Sequence, residues 1–325
     1  MSAGALLWLR AGALGDGICS LYGLRALREA WPRWQMSWVG HAAVGELALA
    51  AGLVDGAEVL DQGAWAPLWR EGAQGLSAAM RRRLQQTQAL VLQLADEGGC
   101  LERQLLALLP SGARCLRLPH APMSGAGPAC LQLAQGLQAW LPAQGAGLWE
   151  GMQRPLLAAE GCAAVGAVEG RLVAIHPGSG SLQKNWPVEG WLEVAAWLGA
   201  RGFEVVWVLG EAELERGTLP SAVAGRRWQA LPMRELIQRL SGCAMFLGHD
   251  SGLGHLAGAL GLPGLLLFGP SEAGVWAPPA FAAGRLRLLQ APQGQWALLP
   301  PSGVLVALEE ALAALPAGAP VRNRT

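Results

Sequence analysis

Short apolar runs alternate along the chain with longer stretches in which hydrophobic residues recur every third or fourth position. Runs of the first kind suit buried strands, and the second spacing puts its apolar side chains on one face of a helix. In the first half the pattern predicts strands at Ala5–Leu9, Met36–Val39, Glu58–Leu60, Ala89–Leu94 and Arg114–Leu118. Helices are predicted at 16–30, 42–52, 75–87, 102–109 and 129–141. The Pro-, Gly- and Ser-rich segment 119–128 reads as a surface loop, and 142–170 as a linker with one short helix near 155–160. The alternation then restarts. Strands are predicted at Leu172–Ile175, Glu204–Leu209, Arg227–Leu231, Met245–Gly248 and Leu265–Phe268, with helices at 187–200, from Glu211, 233–241, 251–260 and 303–315. Pro187 is placed at the first helical position, where a missing N–H costs nothing. Val188, Trp191, Leu192, Ala195 and Leu198 then share the face toward the sheet.

Strands alternating with helices in this way argue for parallel, doubly wound α/β domains. At 325 residues the chain is long for one core, and its 52% of hydrophobic residues is ample for two. The expected division is a first domain at 1–150, a linker at 151–170, a second domain at 171–315 and a disordered tail at 316–325. Folds of this kind bind ligands at the carboxyl ends of their strands, so a cleft between two such domains is the expected site.

Charge and composition remove several function classes. Acidic and basic residues balance at 24 each, which gives no electrostatic case for nucleic acid. No apolar run approaches the roughly 18 to 20 residues that span a bilayer. Arg10 closes the apolar N-terminal stretch too early for a signal peptide, so a cytoplasmic protein is the default expectation, with at most peripheral contact with a membrane. Cys19, Cys100, Cys115, Cys130, Cys162 and Cys243 lie far apart without metal-ligand spacing and read as reduced core thiols. Arg81-Arg82-Arg83 is the one dense basic run, and a solvated helix face is preferred to a patch for an anionic acceptor. Among the 24 basic residues there is a single lysine, Lys184, in a Gly/Ser loop. A compact ammonium differs physically from a planar guanidinium, which singles Lys184 out for a specific role.

Three segments of the second half end a strand with small polar residues just before a helix. In His176-Pro177-Gly178-Ser179-Gly180-Ser181-Leu182-Gln183-Lys184-Asn185-Trp186-Pro187, Gly and Ser allow backbone amides close to an anion and Lys184 adds a mobile charge. The spacing is not that of a Walker A loop, and an ordinary strand-to-helix loop fits as well. In Gly248-His249-Asp250-Ser251-Gly252-Leu253-Gly254-His255, either Asp250 or Ser251 can cap a helix whose N-terminal amides suit a pyrophosphate. By themselves these residues are equally a plain N-cap and a structural histidine. In Leu209-Gly210-Glu211-Ala212-Glu213 a carboxylate past a strand end can accept both hydroxyls of a ribose, or serve simply as a first-turn helix charge.

Taken together and in order, these runs, followed by Leu267-Phe268-Gly269-Pro270 and Trp276-Ala277-Pro278, resemble glycosyltransferase family 9. That is the heptosyltransferase-like group of GT-B fold enzymes that build lipopolysaccharide core. The resemblance returns near the N-terminus in Arg10-Ala11-Gly12-Ala13-Leu14-Gly15-Asp16 and in Leu24 to Arg28. It implies a GT-B fold of two Rossmann-like domains facing a cleft. It also implies inverting transfer of a sugar from a nucleotide diphosphate sugar, ADP-heptose being one candidate, to a lipid-linked or cell-surface glycan acceptor. Residue by residue, it makes Asp16 the general base, sets Ser179 and Lys184, within the loop that includes Gly180 and Ser181, against the donor phosphates, and Glu213 on the ribose. Leu231 falls where an apolar side chain lines the adenine pocket, Asp250, Ser251 and Gly252 match the donor-binding loop, and His255 the histidine beside it. No D-x-D pair occurs, so no essential metal and no cofactor beyond the substrate is expected. The chain departs from the family at His249, usually Asn, and at Tyr22, usually Pro. The competing readings are a catalytically degenerate nucleotide-sugar-binding protein, against which Asp16 and Lys184 both stand, and a nucleotide-sugar epimerase. An epimerase would carry more acid/base residues than the chain shows.

Overall fold

The computed structural model describes residues 4–141, 147–157 and 171–313, apart from 222, 224 and 283. They divide into two units, Met1–Gly151 and Met152–Thr325, each built on its own parallel sheet.

In the first unit β1 (Ala5–Arg10), β2 (Gln35–Gly40), β3 (Gly56–Val59), β4 (Ala89–Gln93) and β5 (Arg114–Arg117) lie in the order β3-β2-β1-β4-β5. The chain winds outward from β1 to β3 and then crosses to the other side of β1. Arg10 pairs with Gln93 across β1 and β4, so two polar strand ends meet where the winding reverses. Leu6, Leu7, Trp8 and Leu9 are each at most 1% exposed. Both faces of β1 are therefore covered, which is what an unbroken rather than alternating apolar run encodes.

In the second unit β6 (Leu172–Ile175), β7 (Glu204–Leu209), β8 (Arg226–Gln229), β9 (Met245–His249), β10 (Gly264–Phe268) and β11 (Leu286–Gln290) lie in the order β11-β10-β9-β6-β7-β8. Here the winding reverses between β6 and β9. One face of the sheet packs Val173, Ile175, Leu247 and Leu267 against Trp191, Val194 and Leu198 of the helix Val188–Ala200. Val304 and Leu308 of the helix Pro301–Ala313 complete that core.

Local chemistry moves several boundaries. The helix expected at 75–87 is Ala78–Gln85, because Gly72 (φ +64°) first turns the chain and the Ser77 hydroxyl then caps it, accepting from the Met80 amide at 3.3 Å. The helix expected at 102–109 starts earlier, at Cys100, where the Asp96 carboxylate accepts from the amides of Leu101 and Glu102. Pro187 stands one residue outside its helix as the N-cap, with ψ 135°. The strand expected to reach Leu231 ends at Gln229, since Ala230 adopts φ +42° and turns the chain. The pattern does not predict β11, a partly buried edge strand interrupted by Arg287. Pro155 to Leu157 are not helical; the short helix of that region is Gly147–Met152, while 158–170, with Cys162, and the tail 316–325 lie outside the described residues.

The five described cysteines are free thiols, but only Cys19, Cys130 and Cys243 are buried. Cys100 is exposed and Cys115 half-buried, so the expectation of core thiols fails for Cys100. Burial pushes the Cys243 thiol up to about 12 and that of Cys115 to about 11. In the basic run, Arg81 donates to the carbonyls of Leu76 and Gln74 and Arg83 pairs with Glu58. Among the described residues no helix is long and apolar enough to cross a membrane.

Candidate active site

β6 and β9 end side by side at the reversal of the second sheet, and each is followed by one of the polar segments singled out above. After β9, Ser251 rather than Asp250 is the N-cap of the helix Gly252–Ala259, its hydroxyl accepting from the Gly254 amide at 3.2 Å. The amides of Gly252 and Leu253, ahead of the capped position, are the ones a helix leaves open for an anion. Gly254 lets the helix start close against the strand, because a Cβ there would lie 2.6 Å from the His249 carbonyl oxygen.

Asp250 is thereby free for another task. It is buried, and its Oδ2 accepts from Lys184 Nζ at 2.6 Å while Oδ1 lies 3.7 Å from His255 Nε2. Burial works against its ionisation, but His255 and Lys184 outweigh it and hold the carboxyl at about 2. The lone lysine is thus fixed over the start of the β9 turn. Its Nζ also lies 5.9 Å from the centre of the Trp276 ring.

His249, fully buried, ties the two ends of the loop that carries Lys184. Its Nε2 accepts from the Trp186 amide at 2.8 Å, and its Nδ1, 3.2 Å from the Gly178 carbonyl, donates there. That pair of bonds requires a neutral ring protonated on Nδ1, and burial drives the pKa down to about 3. Trp191 and Trp296 meet the ring edge-on, with centroids 5.2 and 5.7 Å away. An asparagine, which the resemblance makes usual at this place, also offers an N–H donor group and an oxygen acceptor. The departure therefore keeps the hydrogen bonding.

Glu213 and Ser179 are more enclosed than their sequence context suggests. Glu213 Oε2 accepts from the Gly210 amide at 2.9 Å, capping the helix Glu211–Arg216, and lies 3.5 Å from His176 Nε2. Burial raises its pKa, but the His176 contact and backbone donors more than offset this, so the net shift is downward. Gly178 is required beside it: a Cβ there would fall 2.3 Å from Glu213 Cγ. Of the two readings of Glu213, the structure shows the first-turn helix charge, here capping its own helix. The Ser179 hydroxyl is 2.7 Å from both the Ser181 carbonyl and Asn185 Oδ1, bracing the loop from within. Arg216 donates to the carbonyls of Ser179 and Gly180 at 3.1 and 3.4 Å, a brace that the sequence motifs do not reveal. Gly180 itself is exposed, with open space where a side chain would stand. Leu231, two residues beyond β8 and half-buried, joins none of these contacts.

In the first unit Asp16 is the third residue of the helix Leu14–Ala30. Its Oδ2 accepts from the Ala13 amide at 3.1 Å, and Oδ1 lies 3.7 Å from Arg10 Nη2. Beneath it runs a buried polar chain. Arg10 Nε donates to the Ser20 hydroxyl at 3.3 Å, which lies 2.8 Å from Gln93 Oε1, and Gln93 Nε2 donates to the Pro119 carbonyl at 3.2 Å. Burial pulls the Arg10 pKa down, and the Asp16 charge counters it. Arg10, Asp16, Ser20 and Gln93 border a cavity of about 30 Å³, room enough for bound water. Ser20 and Gln93 carry no motif and are visible only through the β1–β4 register. Among the described residues no three His, Cys, Asp or Glu side chains gather as metal ligands.

A family model described as Glycosyltransferase family 9 (heptosyltransferase) matches residues 142–293, the span that holds every second-unit loop above. Over that span the chain is similar to glycosyltransferase family 9. Residues of the first unit before 142 lie outside that match. A curated relative, lipopolysaccharide heptosyltransferase 1 of Pseudomonas aeruginosa, is 36% identical over 107 residues, 32% of this chain and 30% of its own length. The matched stretch thus spans under a third of that relative. Among solved structures, the family 9 glycosyl transferase of Veillonella parvula superposes with a TM-score of 0.72 at 16% identity, covering 95% of this chain and 97% of that one. E. coli heptosyltransferase WaaC with ADP gives 0.69 at 16% identity over 94% and 99% of the two chains. These likenesses carry the fold: two parallel-sheet α/β units of the GT-B type.

Proposed function

We propose that this protein is an inverting glycosyltransferase of family 9 that takes its sugar from a nucleotide diphosphate donor. The donor lies at the reversal of the second sheet, with the diphosphate over Lys184 Nζ and the Gly252 and Leu253 amides and the ribose at Glu213. One observation carries the reading: the chain's single lysine is held 2.6 Å from Asp250, at the strand edge where a helix N-terminus opens. A cation and an unpaired helix start at one point suit a developing diphosphate charge. In this reading they stand in place of a metal. ADP-heptose is the proposed donor, since WaaC has been solved with ADP and with ADP-2-deoxy-2-fluoro heptose.

In the transfer step the Asp16 carboxylate takes the proton of an acceptor hydroxyl as its oxygen bonds to the anomeric carbon. The bond from that carbon to the diphosphate oxygen breaks, and its electron pair leaves with the nucleoside diphosphate. The configuration inverts in this single displacement, so one carboxylate base suffices where a hydrolase uses two. The acceptor is proposed to be a lipopolysaccharide-core or related cell-surface glycan, as the name of the Pseudomonas relative suggests. The test is incubation with ADP-heptose and core glycans in EDTA, read by mass spectrometry and by NMR of the new linkage. A glycoside of inverted configuration is expected. Retained configuration, or transfer that needs added Mg²⁺, would contradict the proposal.

A further inference from the structure

Past β11 the chain doubles back toward the loop that carries Lys184. It turns through Gln293 (φ +54°) and Gly294 (φ +71°), an uncommon backbone for a glutamine. The turn lies against the end of β10, since a Cβ on Gly294 would sit 3.1 Å from the Gly269 carbonyl oxygen. Trp296 follows and lies over Gly269 itself. A Cβ on Gly269 would fall 2.3 Å from the indole, so the glycine is the seat of the ring. Gly269 is within the span 142–293 that matches the family, and Trp296 is beyond it.

Two indoles then cross between the segments. Trp296 Nε1 donates to the Gln183 carbonyl at 2.9 Å, and Trp186 Nε1 donates to the Leu299 carbonyl at 3.0 Å. One bond falls just before Lys184 in the chain and the other just after it. Trp186 has a glycine seat too, for a Cβ on Gly190 would lie 2.4 Å from its ring. The two anchors differ in kind. Trp186 is buried in the core of the second unit, so its loss would disturb the whole unit. The Trp296 bond instead reaches a segment without a buried apolar anchor: Leu182 is 64% exposed and Gln183 is exposed beside it. Such a segment keeps its place by hydrogen bonds, and losing one lets it open locally without unfolding the core.

Resting on the transferase reading, we propose that Trp296 is a positioning residue for the donor diphosphate. Its indole N–H holds the Gln183 carbonyl and thereby keeps Lys184 Nζ at Asp250, beside the start of the helix Gly252–Ala259. Trp296 touches no reacting atom and acts through Lys184. An ammonium on a loop that must first be ordered loses part of its contact to that ordering, whereas one already placed does not.

The test compares the unaltered chain with Trp296→Phe, Lys184→Ala and the double variant. Phenylalanine keeps a ring over Gly269 and removes the N–H donor. Calorimetry with ADP in EDTA reads affinity. Hydrogen exchange without nucleotide reads the amides of Lys184 and Asn185, which donate to the Ser181 and Leu182 carbonyls at 3.0 and 3.1 Å. Trp296→Phe is expected to weaken ADP by about threefold to tenfold and to speed exchange of both amides by about tenfold. On the Lys184→Ala background the same change should alter ADP affinity by less than about twofold, because the group it places is gone. A ring that merely supported the fold would weaken ADP equally with and without Lys184. That result overturns the proposal, as does an ADP affinity or an exchange rate that Trp296→Phe leaves unchanged. Failure of the unaltered chain to bind any nucleotide, with exchange still faster in Trp296→Phe, would sink the transferase reading and leave the brace on the Lys184 loop standing.

Discussion

The polar residues at the two sheet reversals are organised differently. In the second unit Glu213, His249, Asp250 and His255 are buried and bonded to one another or to the loop they shape. In the first unit a buried chain of Arg10, Ser20 and Gln93 stops at Asp16, and Asp61 and Gln62, just past β3, are exposed. A site whose side chains are already fixed loses little freedom when a ligand arrives. One rimmed by free side chains can change its ligand by single substitutions without disturbing the fold. In the proposed reading the first arrangement suits the donor diphosphate and the second suits the acceptor.

Breaking the contrast at its reactive point should have the largest effect. Asp16→Asn is expected to lower turnover by at least about 100-fold, the usual scale for a general base, while ADP affinity stays within about twofold. Steady-state kinetics and calorimetry on one preparation check it, and near-normal turnover would remove Asp16 from the chemistry.

Next is Gly178→Ala, which forces a methyl to within 2.3 Å of Glu213 Cγ. Overpacking of this kind costs about 1–3 kcal/mol, and ADP affinity should fall by about tenfold as Glu213 shifts. Calorimetry and chemical denaturation measure both. An unchanged affinity would separate Glu213 from the ribose.

His249 sharpens the comparison more finely. His249→Ala removes both braces of the lysine loop and should weaken ADP by about fivefold to tenfold, whereas His249→Asn should restore most of it. The two variants also differ in acid. The unfolded chain takes a proton on His249 below about 6.5, but the folded protein does so only near 3. Between these values the unfolded state binds the extra proton, so stability falls as pH falls, by up to about 1.4 kcal/mol per unit. His249→Asn should flatten that slope between pH 6 and 4 in denaturation curves; an unchanged slope would mean the ring is not held neutral. Asp250 adds its own loss only at lower pH, as its carboxyl approaches its folded value of about 2.

The contrast also sets what could be read from the chain. The strands β6 and β10 of the second unit are unbroken apolar runs, and the loops after β6 and β9 are each contiguous, so Lys184, Asp250 and Ser251 stand out as candidates. The role of each is a matter of partners. Whether Asp250 or Ser251 caps the helix depends on which one Lys184 occupies, 66 positions away. His249 reads as an oddity until the Trp186 amide and Gly178 carbonyl are seen on either side of it. In the first unit Ser20, Gln93 and the pair Asp61-Gln62 come from three separate places, and only the β3-β2-β1-β4 order draws them toward Arg10. Local conformation hid the remainder: Ala230 at φ +42° ends β8 before Leu231, and an Arg within β11 disguises an edge strand as loop.

The most direct test is calorimetric titration of the chain and its Lys184→Ala variant with ADP, UDP, GDP, CMP and dTDP in EDTA. The account predicts that ADP binds without metal and that the variant loses about tenfold or more of that affinity, the scale of one charge-assisted contact. Binding of no nucleotide, or an ADP affinity that the variant leaves unchanged, would contradict it.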